Sequence, residues 1–276
     1  MDDPAADPAD LRRSLAYIRR VNALLGYTRG TLGHLRRFSR GWRPGETIRI
    51  LDVATGSADI PRAILRWAGR RGFDVRIVAV DLHAMTLKLA AQETNSRTPS
   101  PGTQGEGGGG GPLPTDPLPV GGEEAPTPAL PRSTGRGGKF PAHRACGSDD
   151  RLRFVRADAL HLPFPDGGFD YALTAMFLHH LDDAAAVSVL REMARVSRRG
   201  IVAADLLRHR RAYAWISLFT LGAGPMVRHD ARASVAQAFT RAEVLRMRDE
   251  AGVGFAKYHR HFGHRFALAG ERGVRG

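Results

Sequence analysis

The sequence predicts an α/β fold, a three-layer sandwich around a mostly parallel sheet. Three observations lead there. Short apolar, β-branched runs recur at 48–52, 73–81, 152–158, 171–176 and 200–205, and runs of this length and composition read as buried strands. Helical patterns at 59–69, 84–95 and 184–197 separate most of them, and strands alternating with helices cover both faces of a sheet. Asp52, Asp81 and Asp158 end the first three runs, so polar groups gather at the carboxyl edge, where open α/β sheets bind ligands.

The chain is organised around Ile48 to Pro61, Ile-Arg-Ile-Leu-Asp-Val-Ala-Thr-Gly-Ser-Ala-Asp-Ile-Pro. Asp52 closes the strand, and small residues follow at Ala54, Gly56, Ser57 and Ala58, where backbone can approach a ligand closely. Asp59 is expected to cap the next helix, with Pro61 in its first turn. A dinucleotide fingerprint needs G-x-G-x-x-G, and here only Gly56 is glycine. An acidic strand end also repels a pyrophosphate and suits a cationic ligand.

This stretch resembles motif I of class I S-adenosylmethionine (SAM) methyltransferases, in the version of the ubiquinone and menaquinone biosynthesis (type 11) enzymes. Ala58 departs from it, since that family usually has glycine there. The resemblance continues at Leu162-Pro-Phe-Pro-Asp-Gly-Gly-Phe-Asp170, close to the family passage into the fourth strand, and at Phe177-Leu-His-His-Leu181 after it. It implies a Rossmann-like, seven-stranded, mostly parallel sheet of order 3-2-1-4-5-7-6, with strand seven antiparallel. It also implies SAM as cofactor, held by Asp52, Ala54, Thr55, Gly56, Asp59, Asp81, Leu82, Asp158 and Ala159. In that reading Asp81 accepts hydrogen bonds from the ribose diol, and Asp158 with Ala159 reads the adenine edge. Leu82, His83 and Met85 border the adenine.

Around this core the resemblance implies a division into 1–46, an N-terminal tail and helical lid, and 47–270, the methyltransferase domain. In the lid, Leu11, Leu15, Ile18 and Leu25 suggest one amphipathic helix, and Leu32, Leu35 and Phe38 a second. Asn22 is a candidate pocket residue. Residues 97–149 are rich in Pro, Gly, Ser and Thr, with five consecutive glycines from Gly107 to Gly111, and read as a disordered insertion. The aromatic-rich segment 206–240 reads as a substrate cap. Thr240 to Glu243 forms a capping box at the last helix, and a terminal hairpin follows at 255–269.

The formal net charge is +13, and 38 of the 41 basic residues are arginine, lysine occurring only at Lys88, Lys139 and Lys257. The arginines are scattered, which fits a codon-biased proteome better than a phosphate-binding surface. Cys146 stands alone, so there is no internal disulfide and no metal cluster. No apolar run approaches the roughly 18–20 residues of a membrane span. The acidic N-terminus lacks a signal-peptide pattern, so a cytoplasmic enzyme is expected. The sequence carries no sign of oligomeric state.

The function expected is methyl transfer from SAM to a small apolar or aromatic acceptor, such as a quinone, phenol or polyketide. A phenol or activated ring carbon needs a base, and histidine serves near neutral pH. His179 and His180 follow strand four, and His229 with Asp230 sits in the cap. The expectation is His179 near the acceptor, with His229 and Asp230 as cap contacts. Two alternatives remain open: an RNA methyltransferase, which the charge permits although no dedicated nucleic-acid module is visible, and a non-catalytic SAM-binding domain. An oxidoreductase is disfavoured by the missing glycines.

Overall fold

The computed structural model describes residues 26–97, 150–220 and 225–273. The expectations for 1–25 (Asn22 among them) and for nearly all of 97–149 therefore lie outside the described residues. The elements run α1 (Tyr27–Phe38), β1 (Thr47–Val53), α2 (Asp59–Arg71), β2 (Asp74–Asp81), α3 (Ala84–Arg97), β3 (Leu152–Arg156), β4 (Phe169–Ala175), α4 (Asp183–Val196), β5 (Ser197–Leu206), α5 (Arg210–Phe219), α6 (Pro225–Gln237), α7 (Arg241–Glu250), β6 (Lys257–His261) and β7 (Arg265–Glu271). The sheet order is β3-β2-β1-β4-β5-β7-β6, as the resemblance implies. All pairs are parallel except those of β7 with β5 and β6.

Alternation along the strands makes the three layers. Ile48 and Ile50 of β1 point to one face, where they pack with Leu32, Leu35 and Phe38 of α1 and with Ile60 and Ile64 of α2. Leu51 and Val53 point to the other, against Leu190 and Met193 of α4 and Val244 and Met247 of α7. These four β1 side chains are at most 1% exposed, so both faces of β1 are covered, with Arg49 alone exposed near its start.

Local chemistry fixes the element ends. Asp182 caps α4 by accepting from the Ala185 N–H, and Thr240 with Glu243 forms the expected capping box on α7. The loop into β4 is clamped by one guanidinium. Arg195 donates to the carbonyls of Leu162 and Phe164 and to the carboxylates of Asp166 and Glu192. Arg198-Arg199-Gly200, where the family usually has Pro-Gly-Gly, also has a physical account. Both arginines pair with fully buried Asp170 at the start of β4.

Gly200 and Gly270 let β5, β7 and the chain before β6 come together. A Cβ on Gly270 would lie 2.2 Å from the Phe255 carbonyl oxygen, and one on Gly200 would lie 2.3 Å from the Gly270 carbonyl oxygen. Backbone must move to admit either methyl. Gly270→Ala is therefore expected to destabilise the protein by about 1–3 kcal/mol, read as a lower melting temperature. An unchanged melting temperature would show that this edge adapts freely.

Candidate active site

Asp52 lies next to the end of β1 and is 3% exposed. Burial first, then the negative charges of Asp59 and Asp81, push its carboxyl up to about 7. The Thr55 hydroxyl beside it opposes that shift but completes no hydrogen bond of its own. The loop from Ala54 to Ala58 is built on left-handed backbone, with φ of 56° at Ala54, 52° at Gly56 and 53° at Ala58. Ala58, not Asp59, is the residue at the cap of α2, and its side chain caps nothing. Asp59 is instead the first helical residue, where its charge meets the positive end of the helix. Its carboxylate accepts from Ser57 Oγ at 2.9 Å and from Thr28 Oγ1 at 3.5 Å.

Asp81 ties the loop to the next strand. One carboxylate oxygen accepts from the Gly56 N–H at 3.0 Å and the other from the His83 N–H at 3.1 Å. Each oxygen keeps a second lone pair for a ligand hydroxyl. Leu82 beside it is 53% exposed, an apolar side chain held open to solvent. The third strand is shorter than the sequence suggests. It ends at Arg156, and the Ala157 N–H donates to the Asp81 carbonyl. Asp158 and Ala159 follow in a turn. The Asp158 carboxylate accepts from the Leu160 N–H and lies 3.4 Å from His161 Nδ1. The structure thus brings Asp52, Thr55, Gly56, Asp81 and Asp158 to neighbouring strand ends on one edge of the sheet.

On the adjoining side, β4 ends at Ala175 and Met176 takes a φ of 58°. A 3-10 turn, Leu178–His180, follows. It separates the two histidines: His179 is buried and His180 is exposed. His179 Nδ1 lies 2.7 Å from Asp205 Oδ1, and its backbone N–H donates to Asp205 Oδ2 at 3.0 Å. Asp205, at the end of β5, is fully buried. Burial pulls the His179 pKa down, but the charge and hydrogen bond of Asp205 more than offset this and hold it above the ordinary 6.5. With Nδ1–H given to the carboxylate, Nε2 of the neutral ring carries the lone pair.

Sequence reasoning misses two residues at this site. Asp205 is one, although a fourth acidic strand end could signal it. Tyr27 is the other, and nothing in the sequence marks it. Its ring is buried in an apolar cluster with Leu206, Ala212, Val235 and Ala238, and its hydroxyl has no hydrogen-bond partner. Burial and then the Asp205 charge raise the Tyr27 pKa well above normal. Met176 and Ile216 pack on the same cluster, so α5 and α6 cover this end of β4 and β5. His229 and Asp230 fall within α6, but their side chains lie outside the described residues.

Similarity to known proteins follows the same lines. A family model described as a methyltransferase domain matches residues 139–204. The fold is shared with a SAM-dependent methyltransferase from Aquifex aeolicus, with a TM-score of 0.54 and 14% identity over 96% of this chain and 98% of that one. The chain has the fold of the class I SAM-dependent methyltransferases and carries a methyltransferase-domain match over residues 139–204. It is 46% identical over 52 residues to the 27-O-demethylrifamycin SV methyltransferase of Amycolatopsis mediterranei (strain S699), covering 19% of this chain and 18% of that protein. It is 44% identical over 57 residues to methyltransferase GfsG of Streptomyces halstedii, covering 21% of this chain and 20% of that protein. The matched stretch thus spans about a fifth of each curated relative.

The residues present suit the family's cofactor. SAM carries a sulfonium, an ammonium group and a ribose diol. The edge offers a buried carboxyl at Asp52, a second carboxylate at Asp81 and the unsatisfied Thr55 hydroxyl. Among the described residues no group of three or more His, Cys, Asp or Glu could hold a metal ion, and no helix is long and apolar enough to cross a membrane.

Proposed function

We propose that this protein transfers the methyl group of SAM to a small apolar or aromatic acceptor of quinone, phenol or polyketide type. The observation that carries the reading is the buried His179–Asp205 pair beside the strand ends that bear Asp52 and Asp81. The relative from Amycolatopsis, named for 27-O-demethylrifamycin SV, supports an acceptor of this kind.

When bound, SAM supplies an electrophilic methyl group on a sulfonium. Asp52, Ala54, Thr55, Gly56 and Asp59 would hold its amino-acid end, Asp81 its ribose, and Leu82, Asp158 and Ala159 its adenine. His179 Nε2 would take the proton of the acceptor nucleophile while Asp205 stabilises the imidazolium through Nδ1. The apolar cluster around Tyr27, Leu206 and Ile216 would exclude water and favour an acceptor with little charge of its own. His229 and Asp230 keep their assignment as cap contacts. We likewise assign residues 1–46 to a lid, 47–270 to the catalytic domain with 97–149 inserted, and the whole to the cytoplasm.

The test is calorimetric titration with SAM across pH, together with transfer of labelled methyl groups to phenolic and polyketide acceptors. Asp52 has a raised pKa near 7 without ligand, so it is protonated below that pH. A cation favours the ionised form. SAM affinity is therefore expected to rise as pH climbs through about 7 and to level off above it. S-adenosylhomocysteine, which lacks the sulfonium charge, should follow the same trend less steeply. A flat SAM profile from pH 5.5 to 8.5 would remove Asp52 from the cation site.

A further inference from the structure

Beside the SAM edge, α1 and the β6–β7 hairpin enclose a cavity of about 490 Å³. Glycines open it. Gly30 and Gly33 present no side chain, and a Cβ on Gly33 would meet nothing within 4 Å. Its charged and polar wall consists of Arg29, His34, Arg37, His261 and Arg265, with no acidic residue among the lining groups.

Arginines that brace other parts of the fold have acidic partners. Arg195, Arg198, Arg199, Arg208 and Arg246 all pair with carboxylates. Among the described residues, Arg29, Arg37 and Arg265 pair with none. Arg265 is the telling one, being only 7% exposed. Its Nε donates to the Phe262 carbonyl at 2.7 Å, and its guanidinium lies over the Tyr27 ring at 4.7 Å. Neither contact neutralises the charge. A buried cation without a counter-ion is costly, and an anion in the cavity would remove that cost.

The histidines form a neutral pair in which one ring donates to the other and the acceptor ring keeps an Nδ1–H. His34 Nε2 lies 3.1 Å from His261 Nε2, and the His34 ring also touches His259. Burial first, then His259, His261 and Arg37, lower His34 to about 4. Burial likewise lowers His259 and His261. Phe262 stands at the rim, 93% exposed, offering an apolar surface beside the cationic wall. The volume falls within the range of small-molecule sites, roughly 300–1,000 Å³.

We propose that this cavity binds a phosphoryl anion attached to an apolar group, with Arg29, Arg37 and Arg265 as counter-charges and, of the His34–His261 pair, the ring that accepts at Nε2 as a hydrogen-bond donor through its Nδ1–H. Two sources share that chemistry, a soluble phosphate ester and the headgroup of an anionic phospholipid. The proposal does not depend on methyl transfer.

Phenyl phosphate serves as the soluble probe. Vesicles of phosphatidylglycerol in phosphatidylcholine, compared with phosphatidylcholine alone, serve as the lipid probe. NMR of the histidine rings in the full chain reads the site directly. Phenyl phosphate is expected to shift the His34 and His261 ring signals, and Arg37→Gln to weaken its binding about tenfold. Gly33→Leu keeps every charge but fills the cavity. It is expected to abolish the response while holding the melting temperature, which separates this site from general attraction to a basic protein. Vesicle binding that Gly33→Leu and Phe262→Ser both remove would identify the headgroup. A phenyl phosphate response without such binding would identify the soluble ester. Histidine signals unmoved by either probe, or a Gly33→Leu variant that responds like the wild type, would overturn the proposal.

Discussion

The His179→Ala variant is expected to turn over acceptor about 10²- to 10⁴-fold more slowly than the wild type, the range a positioned general base contributes. Its SAM affinity should be nearly unchanged, because His179 adjoins the end of β4 and not the loop after β1. That second reading also reports that the fold survives, since the change leaves buried Asp205 with only the backbone N–H groups of residue 179 and Leu206. The pH profile adds a mark that a packing role would not leave. His179 must be neutral to accept a proton, and Asp205 holds its pKa above 6.5. Wild-type turnover should rise as pH passes through that raised value. In Asp205→Asn the midpoint should move to lower pH, because the carboxylate that favours the charged ring is gone, and the plateau rate should fall. Wild-type turnover in His179→Ala would leave alignment and exclusion of water as the catalytic means.

The second large effect concerns the cofactor. Asp81→Ala is expected to weaken SAM binding about ten- to a hundredfold, since a hydrogen bond to a charged group contributes roughly 1.5–3 kcal/mol. Asp81 also receives the Gly56 and His83 N–H groups, so alanine removes a ligand contact and a support of the loop together. Asp81→Asn separates the two. Its one remaining oxygen can still support the loop, but the negative charge is lost. An intermediate loss of affinity is expected there, and calorimetry on both variants checks it. Unchanged affinity in Asp81→Ala would sink the ribose assignment.

Much of the fold is legible in the amino-acid pattern. Each strand of the parallel core is a short apolar run, and the carboxyl edge is marked by its aspartates, so the sheet and the side that bears the site follow from local pattern. The order β3-β2-β1-β4-β5-β7-β6 does not follow from local pattern; the resemblance implies it, and it holds. Element ends are less legible. The α2 cap falls one residue earlier than expected because Ala58 adopts a left-handed conformation that its side chain gives no hint of. The burial of His179 and the exposure of His180 depend on a 3-10 turn that a His-His pair does not encode. Tyr27 and Arg265 are invisible in the sequence because their meeting joins residues from opposite ends of the chain. The cavity beside them is hidden for the same reason, and nothing in the scatter of arginines along the chain hints that three gather without partners.

Among the described residues, four non-glycine residues have a positive φ: Ala54, Ala58, Met176 and His264. Three of them stand at the carboxyl edge, two in the loop after β1 and one just after β4. Each such residue costs on the order of 1–2 kcal/mol relative to ordinary backbone, against a total stability of roughly 5–15 kcal/mol for a typical domain. Among the described residues, backbone strain is thus concentrated at the ligand edge. Saturation with a ligand at about 100 times its Kd returns about 2.7 kcal/mol, a sum of the same size. A ligand bound at this edge is therefore expected to raise the melting temperature, by a stabilisation comparable to the strain stored there.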